Sequence, residues 1–346
     1  MVKKNNSIKL NNNWKSFKDL YWLSIKTFVY SPINMFLGVF LVIFTLFIWL
    51  FFKGDNPFLF ASAIGTLIVR NGVQTFHRTL ANNKNTGFVQ RINNTGLNGF
   101  VRPLANILAN FTINFIISVF LMFLTLIFFK EQRNLFSNVN WWMFITGTFC
   151  LWLLSVLISY SIFIFVDSTT VGGIYASLIY IFAYNLLGCA FPYEVIARIN
   201  WLNIILYFLP QRYMMNVMQA GWVNAKNLVF EGIGENHLYK VDFRLGGNLA
   251  IPYLITFGFI FLLLFFLITF IIIKVRQTKK DIYGTSVVIQ LSTDYIKEIK
   301  KCSDIVELKK IREKHINNRK INSNYLKQYD ANKKSKKKEE IRNENN

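Results

Sequence analysis

Acidic side chains are scarce in this chain: 18 Asp and Glu stand against 39 Lys and Arg, and between Arg70 and Pro103 there is none. No Asp, Glu, Lys or His falls well inside an apolar run, which argues against proton- or ion-coupled transport, where such groups work near the middle of the bilayer. Cysteine is rare as well. Cys150, Cys189 and Cys302 are isolated from one another, so neither a disulfide framework nor a thiolate metal cluster is indicated. His77, His237 and His315 are equally scattered, and His237 near Glu231 and Glu235 is at most a weak metal-ligand grouping. The chain has no G-x-x-x-x-G-K-[ST] loop to cradle a nucleotide phosphate and no G-x-S-x-G nucleophile elbow. No catalytic constellation remains, and the chain reads as a non-enzyme that binds no cofactor or metal of its own.

What is abundant is apolar: 53% of 346 residues, 17% of them aromatic, in blocks too long for a soluble core. The fold class expected is all-α, a polytopic membrane protein. A net charge of +21 could suggest nucleic acid, but the charges are segregated along the chain rather than gathered in one patch, so nucleic acid is an unlikely partner and the pattern reads as topology.

The spacing of Trp14, Phe17, Tyr21, Trp22, Ile25, Phe28 and Val29 predicts an amphipathic helix lying on lipid within the N-terminal segment 1–31. This leader lacks the short apolar region and small-residue cleavage site of a signal peptide, so it is expected to be retained. Ile33–Phe52 is an uncharged run of 20 residues and predicts the first span. The next run, Phe58–Val69, is too short to cross unless its helix continues past Arg70 toward Phe76 and Leu80, with Arg70 snorkelling to the headgroups. Leu104–Phe129, Trp141–Val166 and Gly172–Cys189 supply three more spans, and Leu249–Ile273 the last. Asn106, Asn110 and Asn114 recur every four residues on one face of the third, as helix-packing amides or the lining of a polar pathway.

Parity fixes the number of crossings. The segment before Ile33, the 70–103 loop and the tail after Ile273 hold 31 of the 39 basic residues, whereas Phe191–Asn248 is nearly neutral. Six spans with both termini cytoplasmic put the first three on the positive side. The membrane domain then covers 32–280. The outer loop 191–248 contains a short helix or helical hairpin at the outer surface that could dip into the bilayer, and 281–346 is a basic, partly disordered tail able to touch anionic lipid.

The aromatic leader, the second span running down into Arg70-Asn71-Gly72, the run from Phe88 to Leu97 before the third span, and Phe208-Leu209-Pro210-Gln211-Arg212-Tyr213 between the fifth and sixth together resemble the permease subunit of an ABC-2 type ABC transporter. The likeness covers about residues 14–280, and the order of elements carries more of it than any one motif. It implies a cell-membrane permease that faces a second copy or a paralogue. A separate ABC ATPase, which holds the ATP and Mg, would grip the loop around Arg91–Phe100 and drive export of a lipid-like, drug or peptide substrate. In that family reading Phe88, Arg91, Ile92, Leu97 and Phe100 are coupling residues, Arg70 and Arg78 stand at the foot of the second helix, and Pro210 and Tyr213 form the outer motif. This chain has Asn71 where members often carry an acid, and Thr95-Gly96 where they often carry Pro. The competing reading is a membrane scaffold or assembly protein that recruits partners through its basic tail.

Overall fold

The computed structural model describes residues 2–52, 56–93, 97, 100–192, 195–196, 198–233, 238–299 and 307–313. Thr95, Gly96, Glu194, Glu235, His237 and the chain beyond 313 lie outside them. Residues 1–268 form one compact unit and 269–346 a second.

The first unit is a bundle of helices. Helix α1, Val2–Tyr30, starts well before the predicted stripe. Ser31 then caps α2, Pro32–Phe52, its hydroxyl accepting from the N–H of Asn34, while Pro32 occupies a first-turn position that needs no donor. Helix α3 is unbroken from residue 59 to 85, about 40 Å at the usual rise, so the short second apolar run does continue as one helix past Arg70. A six-residue helix, α4 (Phe88–Asn93), precedes α5, Val101–Phe128. Then come α6, Lys130–Phe136, and α7, Trp141–Phe165. Helix α8, Thr169–Leu186, begins at Ser168, which accepts from the N–H of Val171. Two further helices, α9 (Asn200–Tyr207) and α10 (Gln211–Trp222), lead to an antiparallel hairpin, β1 (Val229–Ile233) and β2 (Leu238–Asp242). Across that hairpin Lys240 donates to Glu231 at 2.6 Å, and this hydrogen bond raises the pKa of the ammonium.

Helix α11 starts at Ala250. Within the first unit its Ile260 and Leu267 pack on Leu154 and Leu157 of α7. In the second unit the helix runs on to Ile299, through residues assigned above to the tail, and residues 307–313 are helical again.

Four helices are long and apolar enough to cross a membrane: Pro32–Phe52, Val101–Phe128, Trp141–Phe165 and Ala250–Ile273. Their outer faces carry exposed Phe44, Phe115, Phe123, Ile145, Phe261 and Phe265, an apolar surface that suits lipid and not water. This is a helical, multi-pass membrane protein.

Helix α1 turns part of its expected apolar stripe to protein. Leu20 and Phe28 are buried, and the helix is tied to α5 by Tyr21 Oη with Thr112 Oγ1 at 2.9 Å and by Ser24 Oγ donating to Asn106 Oδ1 at 2.8 Å. Trp14, Trp22 and Val29 remain exposed on the other side. The apolar stripe is therefore two stripes, one for protein and one for the surroundings.

Candidate functional site

Two widened helical turns meet at the centre of the bundle. In α2 the N–H of Leu41 reaches back to Phe36 O, and in α3 the N–H of Phe76 reaches back to Asn71 O, each a five-residue step that defines a π-turn. Such turns are frequent at functional sites because they offset backbone groups from the regular ladder. Here Asn71, fully buried, donates from Nδ2 to Gly38 O at 3.3 Å, joining one π-turn to the other. A Cβ at Gly38 would lie 2.9 Å from Asn71 Oδ1 and 2.9 Å from Phe28, so only glycine admits this approach. Gly72 does the same toward α7, where a Cβ would meet Ser155 Cβ at 2.7 Å.

The predicted asparagine face of α5 closes on this seam. Asn110 Nδ2 donates to Asn71 O at 3.0 Å, and Asn110 Oδ1 accepts from Trp152 Nε1 at 3.0 Å and from Asn114 Nδ2 at 3.0 Å. Asn106 takes the α1 hydroxyl already described. All three are buried, and Asn106 and Asn110 border a cavity of only ≈20 Å³, room for about one water. Asn106 and Asn110 thus tie α5 to α1, α3 and α7, whereas Asn114 bonds only to Asn110 within α5.

Arg70 is a correction. It does not snorkel: it is 5% exposed, with its guanidinium 4.9 Å from the Tyr180 ring centre on α8. At the head of the π-turn it faces the neighbouring helix, and the ring's negative face replaces water. Arg78, two helical turns further along α3, is exposed.

The 191–222 segment is a second correction. It holds the two helices α9 and α10, and α10 is not a surface element. Every residue from Gln211 to Trp222 is buried, with α10 lodged between α3 and α7. Small residues make the slot: a Cβ at Gly147 would meet Met218 Cγ at 2.8 Å and Met214 O at 3.2 Å, and one at Gly221 would meet the Phe144 N at 2.8 Å. Arg212 is wholly buried, stacks on Tyr207 with 4.3 Å to the ring centre, and donates to Asn203 O and Phe243 O, both at 2.9 Å. Gln219 Nε2 donates to Ser62 Oγ and Leu187 O, each at 2.7 Å. At the C-terminal end of α10 Trp222 packs on Phe60, 4.4 Å between ring centres, and donates to Gln132 Oε1 at 3.0 Å. Pro210 serves as the turn before α10, and Tyr213 fastens it by donating to Tyr207 O at 2.8 Å. The side chains of Gln211 and Asn216 are fully buried, with no partner among the described residues for either end of their amides. Sequence reading missed α10 as a core element, although Met214, Met215 and Met218 opposite Gly65 and Gly147 were a readable pairing of flexible with small.

Of the expected coupling residues, Phe88 is half-buried in a cleft of ≈190 Å³ shared with Leu20, Ser24, Thr27 and Thr79. Ile92 and Leu97 are half-buried, Arg91 is exposed, and Phe100 is 73% exposed. They lie on or next to α4, on the stretch that joins α3 to α5. No group of three or more metal-ligating side chains occurs among the described residues.

No family model matches the chain, and no curated protein or solved structure matches it. The class these observations define is that of a multi-pass helical membrane protein with a buried polar seam and an inserted helix between its last two long apolar helices.

Proposed function

We propose that the chain is the permease subunit of an ATP-driven ABC exporter of the ABC-2 type, crossing the membrane six times with both ends in the cytoplasm. Helices α3 and α8 are the remaining two crossings: α3 exceeds the roughly 30 Å of a hydrocarbon core, and α8 exposes Ile174, Leu178, Ile181 and Phe182 as a lipid-facing helix would. The observation that carries the reading is α4. A short helix with Arg91 exposed, followed by an exposed Phe100 at the head of α5, in a stretch without any acid, has the form of a docking element for a soluble partner. Movement of α4 would reach the interior through α3 and the π-turn seam, whose offset backbone permits one helix to shift against the next. Fully buried polar groups on α10 support a pathway beside that helix. A second copy or a paralogue completes the transporter, and the substrate is a lipid-like, drug or peptide molecule.

The test is double substitution at the docking element. Arg91→Glu with Phe100→Ala should leave the protein folded in the membrane while ATPase co-purification falls about tenfold, the usual consequence of losing an exposed anchor and a charge contact together. Undiminished co-purification and substrate-stimulated hydrolysis would overturn the coupling assignment. A thiol probe at Arg91, in a background without the three native cysteines, should react only from the cytoplasmic side.

A further inference from the structure

Between the end of α1, the start of α2, the C-terminal half of α3 and the start of α8 lies a polar cavity of ≈490 Å³. It adjoins the Phe88 cleft, with which it shares Thr27 and Thr79. Its wall holds Asn34, Gln74, His77, Arg78, Asn82 and Thr170. His77 and Asn34 are 3% and 5% exposed, and Asn34 Oδ1 has no hydrogen-bond partner among the described residues. Gln74 donates from Nε2 to Ser177 Oγ at 3.0 Å, which leaves its Oε1 also unpartnered. Arg78 is exposed, and no described carboxylate pairs with it. The site thus combines one available guanidinium with two buried acceptors that want a donor.

The two glycines of α8 separate packing from space. A Cβ at Gly172 would sit 2.6 Å from His77 Nε2, so that glycine serves the approach of α8 to α3. A Cβ at Gly173, which lines the cavity, would meet nothing within 4 Å. Beside the cavity the surface is apolar: Ile33, Phe36, Ile174 and Tyr175 are all exposed. A ligand that suits this place carries an anion for Arg78, a hydrogen-bond donor for Asn34 and Gln74, and apolar chains for the flanks.

We infer that the cavity is a headgroup site for a membrane glycerophospholipid whose phosphodiester bears a donor-carrying alcohol, as in phosphatidylglycerol or phosphatidylethanolamine. Phosphatidylcholine meets the charge requirement but has no N–H or O–H to offer the two amide oxygens. The inference rests on the multi-pass membrane character of the chain and not on ATPase coupling, so either can fail alone.

The experiment uses the full chain, purified, stripped of lipid and exposed to defined lipids, with bound lipid counted by native mass spectrometry. Phosphatidylglycerol and phosphatidylethanolamine should be retained about tenfold better than phosphatidylcholine, and Arg78→Gln should cut that retention about tenfold, as loss of a charge-assisted contact does. Gly173→Trp should abolish it while leaving Arg78 in place, with Asn82→Leu as the replacement if that variant does not fold. Gel filtration and melting should match the parent in every variant scored. Equal retention of phosphatidylcholine, or variants that keep their lipid, would overturn the inference. Release of the lipid by millimolar inorganic phosphate would also overturn it, in favour of a soluble phosphate.

Discussion

Replacing Gly147 with leucine is expected to drive α10 out of the bundle. The first added carbon alone would stand 3.2 Å from Met214 O and 3.3 Å from Met218 N, backbone atoms that move only if the whole helix moves. Overpacking a core usually costs about 1–3 kcal/mol, and here the obstacle is main chain, so the loss should reach the upper end or exceed it. Gly65→Ala is the control. Its Cβ would come closer still, against Met215 Sδ and Cε, yet these are the last two atoms of a flexible thioether that can swing aside. The expected order is a large drop in melting temperature for Gly147→Leu and a small one for Gly65→Ala. A thiol reagent applied to Met218→Cys, buried in the parent, should label it only when Gly147→Leu is also present. Identical melting of the two glycine variants, with continued protection at 218, would mean that α10 is not held by this slot.

Expulsion matters beyond stability because α10 brings buried polar groups into the apolar bundle. Arg212 and Gln219 find carbonyls and hydroxyls there, whereas Gln211 and Asn216 do not. A buried polar side chain without a partner is costly unless water or a ligand answers it, and two of them on one helix mark the place where a pathway would open. The glycines of the slot are what let a polar helix enter an apolar core.

The long apolar runs were legible because a membrane span is a local property of composition: Pro32–Phe52, Val101–Phe128, Trp141–Phe165 and Ala250–Ile273 match the expected runs to within a few residues. The continuation of α3 past Arg70 was legible too, from length alone. The partners of buried polar groups were not. Gln219 is bonded to Ser62 across 157 positions and Trp222 to Gln132 across 90, so a segment of Gln, Arg and Asn looked like surface when it was core. Arg70 misled for a related reason: a cation at the end of an apolar run was taken for an interface residue, and only the placement of Tyr180 reveals why it stays inside. In α1 the spacing of apolar residues announced a helix but could not divide Leu20 and Phe28, which meet protein, from Trp14 and Trp22, which do not.

The asparagine face of α5 allows a sharper test of what buried amides do. Asn110 and Asn114 are one turn apart, equally buried, and linked to each other, yet their removal should differ. Asn110→Leu deletes the donor to Asn71 O and the acceptor of Trp152 Nε1. Asn71 O keeps its bond from the N–H of Phe76, but the indole is left without an acceptor in a buried site. Interhelical hydrogen bonds in membrane proteins are worth about 0.6 kcal/mol each, so the lost bonds alone are minor. The orphaned indole adds about 1–3 kcal/mol and decides the outcome, for a total near 3 kcal/mol. Asn114→Leu orphans nothing comparable: Asn110 Oδ1 still accepts from Trp152, and the change removes an Oδ1 that has no partner. Its cost should stay below about 1 kcal/mol. Trp152→Phe, which deletes the orphan itself, should recover about half of the Asn110→Leu loss when the two are combined, because removing both ends of a buried hydrogen bond is far cheaper than removing one. Unfolding midpoints in denaturing detergent would measure all four proteins. If Asn110→Leu and Asn114→Leu lost the same stability, or if Trp152→Phe made the Asn110 variant worse, these amides would be acting by volume alone and the polar seam would not be what joins the helices.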